Sequence, residues 1–288
     1  MEDVASIRAS IAAKLGDAGA PSPFLEADRI ICRVLGAPRS SLHAHPEREP
    51  SSGQRERIVS LAARRASGEP MAYILGDAIF CGMRFLVDER ALIPRTETET
   101  LTELADELLK VSGGPFADWC TGSGCIAVTL LVCNESSSAY AVDVSDAALA
   151  VARRNAALHG VERRVTFLEC ASPSSDGPIP PASLGLVVTN PPYIPTATIE
   201  TLETQVKDHE PRAALDGGRD GLNVYRTLFA GIPPLMKPGA PLIAETGGGA
   251  QIDELASCAR ALAPCLSLDK IFPDHRGIDR FMLWRKRV

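Results

Sequence analysis

Apolar residues recur three and four positions apart in the first part of the chain, a spacing that places them on one face of a helix. Three stretches show this pattern, at residues 4–15, 22–34 and 54–66. The second opens with Ser22, a favoured N-cap, and Pro23, which suits a first helical turn, and it ends before Gly36. We therefore predict an all-helical domain over residues 1–71.

The pattern of apolar positions changes at residue 72. Two strands are predicted around Gly82, from residues 73–76 and 79–87. Because such a hairpin separates the helical stretches from the rest of the chain, we interpret residues 72–95 as a β-hairpin connector.

From residue 96 onward, short apolar strands alternate with helical stretches. The predicted strands are residues 116–119, 139–142, 165–168, 184–188, 241–244, 266–272 and 280–285. The predicted helices are residues 96–110, 125–132, 146–159, 222–235 and 251–262. This alternation is typical of an α/β domain in which helices cover both faces of a parallel sheet. We predict such a domain over residues 96–288.

Composition limits the classes of protein that fit this pattern. The 288 residues are 45% hydrophobic, enough for a large and a small domain, and the net charge of −6 disfavours binding of duplex DNA or RNA through overall charge. The eight cysteines form no Cys-x-x-Cys pair and the five histidines show no metal-ligand spacing, so no metal is expected. Without a signal-peptide pattern or a long apolar stretch, we expect a soluble cytoplasmic protein.

The tetrapeptide Asn190-Pro191-Pro192-Tyr193 directly follows a predicted buried strand. Its two prolines fix φ and remove two backbone donors, so the end of the strand offers acceptors, among them the side-chain oxygen of Asn190. Tyr193 adds an aromatic ring. Acceptors beside a flat ring suit a planar –NH2 group of an amide or a nucleobase, although a proline-rich loop without a function remains an alternative at this point.

A second candidate site lies where the first predicted strand of the sheet turns into a helix. The turn is Asp118-Trp119-Cys120-Thr121-Gly122-Ser123-Gly124. Gly122 and Gly124 allow a tight turn and close approach of a ligand. The dinucleotide-binding pattern is absent because Ala127 and Val128 stand where a third glycine is required, and no Walker sequence follows.

Asp143 and Val144 end the next predicted strand. An acid at this position can accept hydrogen bonds from a ribose diol. Ser145 is better placed to cap the following helix, which leaves Asp143 free for a ligand. A glycine turn, a ribose-binding acid and an acceptor cluster fit S-adenosylmethionine, a cation without phosphates, better than a nucleotide.

Taken together, these residues resemble the HemK/PrmC family of protein-(glutamine-N5) methyltransferases over essentially the whole chain. The segments that carry the resemblance are residues 85–99, 118–124, 190–193, 210–218, 220–222 and 274–280. The Asn-Pro-Pro-Tyr element is shared with DNA-adenine and some RNA methyltransferases, whereas residues 85–99 and 210–218 are more specific. The resemblance implies a class I, Rossmann-like domain of seven strands with an antiparallel edge, and an N-terminal helical bundle that docks the substrate.

The resemblance also implies an activity and a set of site residues. The activity is methylation, by S-adenosylmethionine, of the glutamine in the Gly-Gly-Gln motif of class-1 peptide-chain release factors. The implied cofactor-binding residues are Asp118, Cys120, Thr121, Gly122, Ser123, Gly124, Asp143, Val144, Ala171, Ser172 and Asn190. Asn190 and the Pro191 carbonyl are expected to accept the two amide hydrogens, Tyr193 to stack on the amide, and Pro192 to contact the substrate. We expect a monomer that binds neither membranes nor nucleic acid directly.

This chain departs from the family pattern at several positions. Thr96 replaces the usual proline, and Cys120 stands where the family usually has glycine, so close approach of the backbone to the cofactor is less assured there. Ala171 and Ser172 replace an acid and a bulky apolar residue, so adenine is expected to be held more weakly or by residues 172–181.

Two other classes of function stay open from the residues alone. A nucleic-acid methyltransferase acting on adenine N6 or guanine N2 would use the same acceptor pocket, but the acidic balance and the lack of an evident basic recognition domain disfavour it. A binding module without catalysis is disfavoured by the intact sequences at residues 118–124 and 190–193.

Overall fold

The computed structural model of the protein describes residues 2–287 and divides them into two compact units. The first unit runs to Asp77 and also contains the segment Glu203–His209. The second unit comprises Ala78–Leu202 and the residues from Glu210 onward. Among residues 2–287, no helix has both the length and the apolar character needed to cross a bilayer.

The first unit is helical, as the sequence predicts. Its helices are α1 (Val4–Asp17), α2 (Pro23–Leu35), α3 (Arg39–Ala44), α4 (Ser52–Ala66), α5 (Met71–Leu75) and α9 (Thr204–Lys207). The apolar faces of α1, α2 and α4 bury Leu15, Ile30 and Leu61 in one core. Helix α4 begins with a capping box between Ser51 and Gln54, so it starts two residues before the predicted position.

One local prediction in the first unit is wrong, and one of its helices is not predicted. Residues 73–76, predicted as a strand, end helix α5, which lies between Pro70 at its N-cap and Gly76 in a left-handed conformation. A short apolar run buried on all sides has the same pattern in a strand and in one helical turn, so its periodicity cannot distinguish them. Helix α3 is also present where no helix is predicted, because its six residues are too few to show a periodic pattern.

A hairpin is present at Gly82, as predicted, but its strands differ from the predicted ones: both lie within residues 77–86, so the predicted strand 79–87 contains the turn. Strands β1 (Asp77–Phe80) and β2 (Met83–Leu86) form a two-stranded sheet. Cys81 and Gly82 connect them, both with positive φ. The backbone N–H of Cys81 donates to the carboxylate of Glu99 at 2.6 Å, which attaches the hairpin to the next helix along the chain.

The second unit contains the predicted seven-stranded sheet. Its strands are β3 (Phe116–Trp119), β4 (Ala139–Asp143), β5 (Val165–Glu169), β6 (Leu186–Thr189), β7 (Pro241–Glu245), β8 (Leu266–Pro273) and β9 (Asp279–Lys286). Their order is β5-β4-β3-β6-β7-β9-β8, parallel except for the antiparallel pairs that β9 makes with β7 and β8. This order confirms the predicted class I, Rossmann-like α/β fold with an antiparallel edge.

Helices cover both faces of this sheet. They are α6 (Thr96–Ser112), α7 (Cys125–Cys133), α8 (Asp146–Leu158), α10 (Asn223–Gly231) and α11 (Gln251–Leu262). Strand β3 shows the two-sided burial, since Phe116 packs in one apolar cluster while Ala117 and Trp119 pack in the other. The chain reverses direction across the sheet beside β3, where β4 lies on one side and β6 on the other. Ligands of open α/β sheets bind at such a reversal, beyond the carboxyl ends of the strands.

Candidate active site

A glycine turn follows β3 at the reversal point of the sheet. Cys120, Gly122 and Gly124 have φ values of 63°, 54° and 79°, so alternate residues of the turn are left-handed. This conformation costs glycine little and other residues about 1–2 kcal/mol. The backbone at Cys120 therefore has the shape that glycine favours, although the chain has cysteine there.

The two glycines of this turn meet different surroundings. A Cβ atom added to Gly124 would lie 2.9 Å from the Cβ of Ala152, so Gly124 permits close packing between α7 and α8. A Cβ added to Gly122 would meet no atom within 4 Å. Gly122 thus borders open space, which is the condition for close approach of a ligand.

Asp118 lies buried beneath the glycine turn. Its Oδ2 atom accepts hydrogen bonds from the Thr121 hydroxyl at 2.6 Å and from the Ala127 N–H at 3.1 Å. Its Oδ1 atom is buried without a hydrogen-bond partner among the described residues. Burial raises the pKa of Asp118 to about 7, and the charge of Asp143 adds to the effect. Asp118 therefore stabilises the conformation of the glycine turn through its hydrogen bonds to Thr121 and Ala127.

Asp143 ends β4 beside the same turn. Its carboxylate accepts from the Gly122 N–H at 2.9 Å and from the Ser145 N–H at 3.0 Å. Ser145 caps helix α8 by accepting from the Ala148 N–H at 3.2 Å, so Asp143 does not serve as the cap. Burial raises the pKa of Asp143. Each carboxylate oxygen has a second acceptor site, which remains for a ligand hydroxyl.

Asn190 follows β6 directly, across the reversal point from Asp143. Its side-chain Nδ2 donates to the hydroxyl of Thr98 on α6 at 3.0 Å. The hydroxyl of Thr98 donates to the Glu245 carboxylate at 2.8 Å, and that of Tyr193 donates to the same carboxylate at 3.3 Å. Burial raises the pKa of Glu245 to about 7, whereas Thr98 and the charge of Arg280 act against this rise.

A glycine loop supports the Asn-Pro-Pro-Tyr segment. Gly217 has no room for a Cβ because the Pro192 carbonyl oxygen would lie 2.8 Å from it. A Cβ on Gly221 would lie 2.3 Å from the Tyr193 carbonyl oxygen. The side-chain Nε2 of Gln251 also donates to this carbonyl at 3.0 Å. The backbone of residues 192–193 is thus held by direct contact with a loop that requires glycine.

One cavity joins the glycine turn, Asp143 and Asn190. The predicted residues that line it are Cys120, Gly122, Asp143, Val144, Asn190 and Pro192. The structure places the other predicted residues differently: Asp118, Thr121, Ser123 and Gly124 form the supporting turn, Pro191 is buried beside Asn190, Tyr193 contacts Glu245, and Ala171 and Ser172 are exposed after β5.

The residues predicted from the sequence do not include every residue that lines this cavity. The cavity is also lined by Arg90, Ala91, Leu92, Ser145, Ala148, Pro211, Ala213 and Ala214. Most of these belong to the segments that carry the family resemblance, and this was the available signal. The guanidinium of Arg95 pairs with the buried Glu210 at 2.5 Å, which ties the segment before α6 to residues 210–218.

Asn155 on α8 is a further missed residue. Its side chain accepts from the Leu86 N–H at 2.7 Å and donates to the Leu86 carbonyl at 2.9 Å. It also donates to the Ser123 carbonyl at 2.8 Å. The buried amide of Asn155 therefore joins strand β2 to the glycine turn, a role that no local sequence pattern marks.

Comparison with known proteins identifies two families along the chain. The PrmC N-terminal domain family matches residues 6–76, and the methyltransferase small domain family matches residues 97–209. Among solved structures, the catalytic domain of hMettl16 in complex with the MAT2A 3'UTR hairpin 6 is similar in fold. It has a TM-score of 0.53 and 13% identity, over 81% of this chain and 82% of that one.

Full-length relatives resemble this chain more closely in sequence. The release factor glutamine methyltransferase of Geobacter sulfurreducens is 38% identical over 92% of this chain and 90% of its own length. That of Nitratidesulfovibrio vulgaris is 37% identical over 96% of this chain and 92% of its own length. Identity at this level across both units shows that the chain belongs to the family of release factor glutamine methyltransferases.

Proposed function

We propose that this protein transfers a methyl group from S-adenosylmethionine to the side-chain amide nitrogen, N5, of the glutamine in the Gly-Gly-Gln motif of class-1 peptide-chain release factors. One observation carries the proposal: Gly122, Asp143 and Asn190 line a single cavity. A ligand that contacts the glycine turn and Asp143 would therefore lie in the same cavity as the amide acceptor Asn190.

The residues of this site fit a cationic cofactor. Burial raises the pKa values of both Asp118 and Asp143, and the buried Oδ1 atom of Asp118 has no partner in the described part of the chain. A positive charge nearby would favour the ionised form of both acids. Open space beside Gly122 accommodates close approach to the backbone. In this proposal Asp143 holds the ribose hydroxyls and Gly122 contacts the amino-acid part of the cofactor.

Residues other than Ala171 and Ser172 supply the apolar contacts for the adenine ring in this proposal. Ala171 and Ser172 are exposed, and their predicted contact with adenine stays a prediction. Val144 lines the cavity and is 54% exposed, and Ala148 lines the same cavity. We infer that these two side chains offer the flat apolar surface against which adenine packs.

Catalysis by this chain rests on how it holds the target amide. When bound, S-adenosylmethionine supplies an electrophilic methyl group on a sulfonium. The Asn190 side-chain oxygen and the Pro191 carbonyl accept the two amide hydrogens, which aims the nitrogen and stabilises the positive charge that grows on it. No general base is needed, because the methylated nitrogen is acidic enough to lose its proton to solvent.

Tyr193 has a supporting place in this mechanism. Its hydroxyl donates to Glu245, and burial raises its pKa, so the phenol stays neutral. In our proposal its ring packs beside the target amide and excludes water, and Pro192 forms part of the wall of the substrate site. In the same proposal, the helical unit docks the release factor. That the protein is a monomer and that it is located in the cytoplasm both stay predictions.

Transfer of labelled methyl from S-adenosylmethionine tests the proposed function. We expect label on a purified class-1 release factor, and none on a variant of it whose Gly-Gly-Gln glutamine is replaced by alanine. Label on both proteins would contradict the proposed target residue. Label on neither, with methylation of total DNA or RNA instead, would move the protein to the nucleic-acid methyltransferases that act on adenine N6 or guanine N2.

A further inference from the structure

Two buried side chains outside the cavity, Thr98 and Glu245, form a chain of hydrogen bonds that begins at Asn190 and ends at the Glu245 carboxylate. Thr98 lies in the first turn of α6, and Glu245 ends β7. We propose that Thr98 and Glu245 are positioning residues, which fix the side-chain amide of Asn190 with its oxygen toward the substrate. This inference rests on the proposed function, in which that oxygen accepts a hydrogen from the target amide.

The geometry places the three side chains in one chain of hydrogen bonds. Asn190 Nδ2 lies 3.0 Å from Thr98 Oγ1, which lies 2.8 Å from Glu245 Oε2. Thr98 and Glu245 are 3% and 1% exposed, so water has little access to compete for these bonds. Their positions along the chain are far apart, and the fold alone brings them together.

The direction of each bond follows from the chemistry of the groups. A threonine hydroxyl has one hydrogen, and an ionised carboxylate can only accept. Because the Thr98 hydrogen is donated to Glu245, the Thr98 oxygen can offer only lone pairs to Asn190. The amide of Asn190 must therefore present its –NH2 end to Thr98, which leaves its oxygen for another partner.

The alternative orientation of Asn190 would block the reaction. The oxygen and nitrogen ends of an asparagine amide have nearly the same size, so packing distinguishes them poorly. If the amide rotated by 180°, its –NH2 group would face the –NH2 group of the target glutamine, and two donors would oppose each other. This rotation is unfavourable because Thr98 donates its only hydroxyl hydrogen to Glu245, so the rotated Asn190 oxygen would face a Thr98 oxygen that has no hydrogen to donate to it.

Glu245 also connects to the second polar residue of the tetrapeptide. Its Oε1 atom accepts from the Tyr193 hydroxyl at 3.3 Å, while its backbone oxygen accepts from the Tyr225 hydroxyl at 2.5 Å. Arg280, which donates to the Thr246 carbonyl at 3.2 Å, contributes a positive charge that favours the ionised form of Glu245. One carboxylate therefore holds both Asn190, through Thr98, and Tyr193.

Two substitutions at Thr98 separate positioning from packing. Thr98→Val keeps the shape of the side chain but removes the hydroxyl, whereas Thr98→Ser keeps the hydroxyl and removes a methyl group. If the Thr98 hydroxyl positions Asn190, Thr98→Val should lower kcat by about tenfold or more. Its KM for the release factor should stay within about twofold of the wild-type value. Thr98→Ser should keep kcat within about threefold of the wild-type value. The reverse order, with Thr98→Val active and Thr98→Ser impaired, would overturn the proposal.

A second measurement does not depend on the identity of the substrate. In protein labelled with ¹⁵N, the side-chain –NH2 hydrogens of Asn190 should exchange slowly in the wild type and in Thr98→Ser, and faster in Thr98→Val. Equal exchange in all three proteins would contradict the orienting contact, even if the protein methylates a target other than a release factor. Thermal unfolding and cofactor titration of each variant confirm that the fold is intact.

Discussion

Two buried acids lie beneath the two halves of the site, and they are held in different ways. Asp118, under the glycine turn, and Glu245, behind the Asn-Pro-Pro-Tyr segment, each have a pKa raised by burial to about 7. Both oxygens of Glu245 accept from side-chain hydroxyls and the charge of Arg280 acts on it. Asp118 has one oxygen bonded to Thr121 and Ala127 and one oxygen without a partner in the described residues.

This difference separates two uses of a buried carboxylate. Glu245 has its partners supplied by the chain, so it can set the direction of other hydrogen bonds without a ligand. One oxygen of Asp118 accepts from the Thr121 hydroxyl and the Ala127 N–H, whereas its other oxygen has no partner among the described residues, which leaves part of the cost of burying it uncompensated. A bound cationic cofactor would therefore stabilise the ionised form of Asp118 more than that of Glu245. Substitutions at and around both acids test this comparison.

The largest effect is expected at Asn190, the proposed acceptor for the target amide, which is bonded to the Glu245 network through Thr98. Asn190→Ala should lower kcat by about 100-fold to 1000-fold, because it removes one hydrogen-bond acceptor for the target amide. Binding of S-adenosylmethionine should change much less than the rate, because Gly122 and Asp143 remain to contact the cofactor in the proposed site. Methyl transfer rates and calorimetric titration of the cofactor measure the two effects, and near-normal turnover of Asn190→Ala would contradict the mechanism.

Glu245→Gln should have a smaller effect on the rate, of about tenfold. A glutamine can donate to Thr98 as well as accept from it, so both orientations of Asn190 become accessible. The matched control is Glu210→Gln, which changes a buried acid that pairs with Arg95 and does not contact Asn190. If the two variants reduced kcat equally, the effect would come from lost charge in general.

The rate of methyl transfer should fall at low pH through the ionisation of Glu245. The folded-state pKa is raised to about 7 by burial, with Glu97 adding to the rise and Arg280 and the hydroxyls of Thr98 and Tyr193 opposing it. Because the proposed network needs the carboxylate, kcat should fall as pH decreases through about 7. A kcat profile that stays flat between pH 6 and 8, about one unit either side of this value, would oppose the proposed role.

Asp118→Asn should change the dependence of stability on pH. The raised pKa means that the folded protein binds this proton more tightly than the unfolded chain does, so Asp118 contributes stability at low pH. That contribution falls as pH rises from about 4 to about 7. Because asparagine does not titrate, the free energy of unfolding of Asp118→Asn should rise relative to the wild type over this range. Denaturant unfolding at several pH values measures it, and a constant difference would contradict the shift.

The smallest effects are expected at Cys120, where the backbone is left-handed. Cys120→Gly should change the free energy of unfolding by no more than about 1 kcal/mol, since relief of strain is offset by greater freedom of the unfolded chain. Cys120→Val should destabilise by about 2 kcal/mol, because a β-branched residue tolerates positive φ poorly. Thermal unfolding of both variants compares them, and equal stability would show that the turn relaxes.

The apolar pattern predicts most strands and helices of the second unit, and the residues predicted at the strand ends include Gly122, Asp143 and Asn190, which line one cavity. The strands of the sheet were predictable because each is a short apolar run, and the strand-end rule then placed Gly122, Asp143 and Asn190 together. Thr98 and Glu245 were not predicted as site residues, since they lie 92 residues before and 55 residues after Asn190. Only the sheet order brings α6 and β7 beside β6. Helix α5 was mistaken for a strand because its buried apolar run has no distinguishing period.

The segment Glu203–His209 has a consequence for how this protein can be divided. It lies far along the chain but belongs to the helical unit, where the side chains of Thr204 and His209 approach Gly68. A gene fragment encoding only residues 78–288 would therefore produce this segment without the helical residues that it contacts, such as Gly68. The two units are joined by three crossings of the chain, so recombination between relatives would have to exchange both pieces of the helical unit at once.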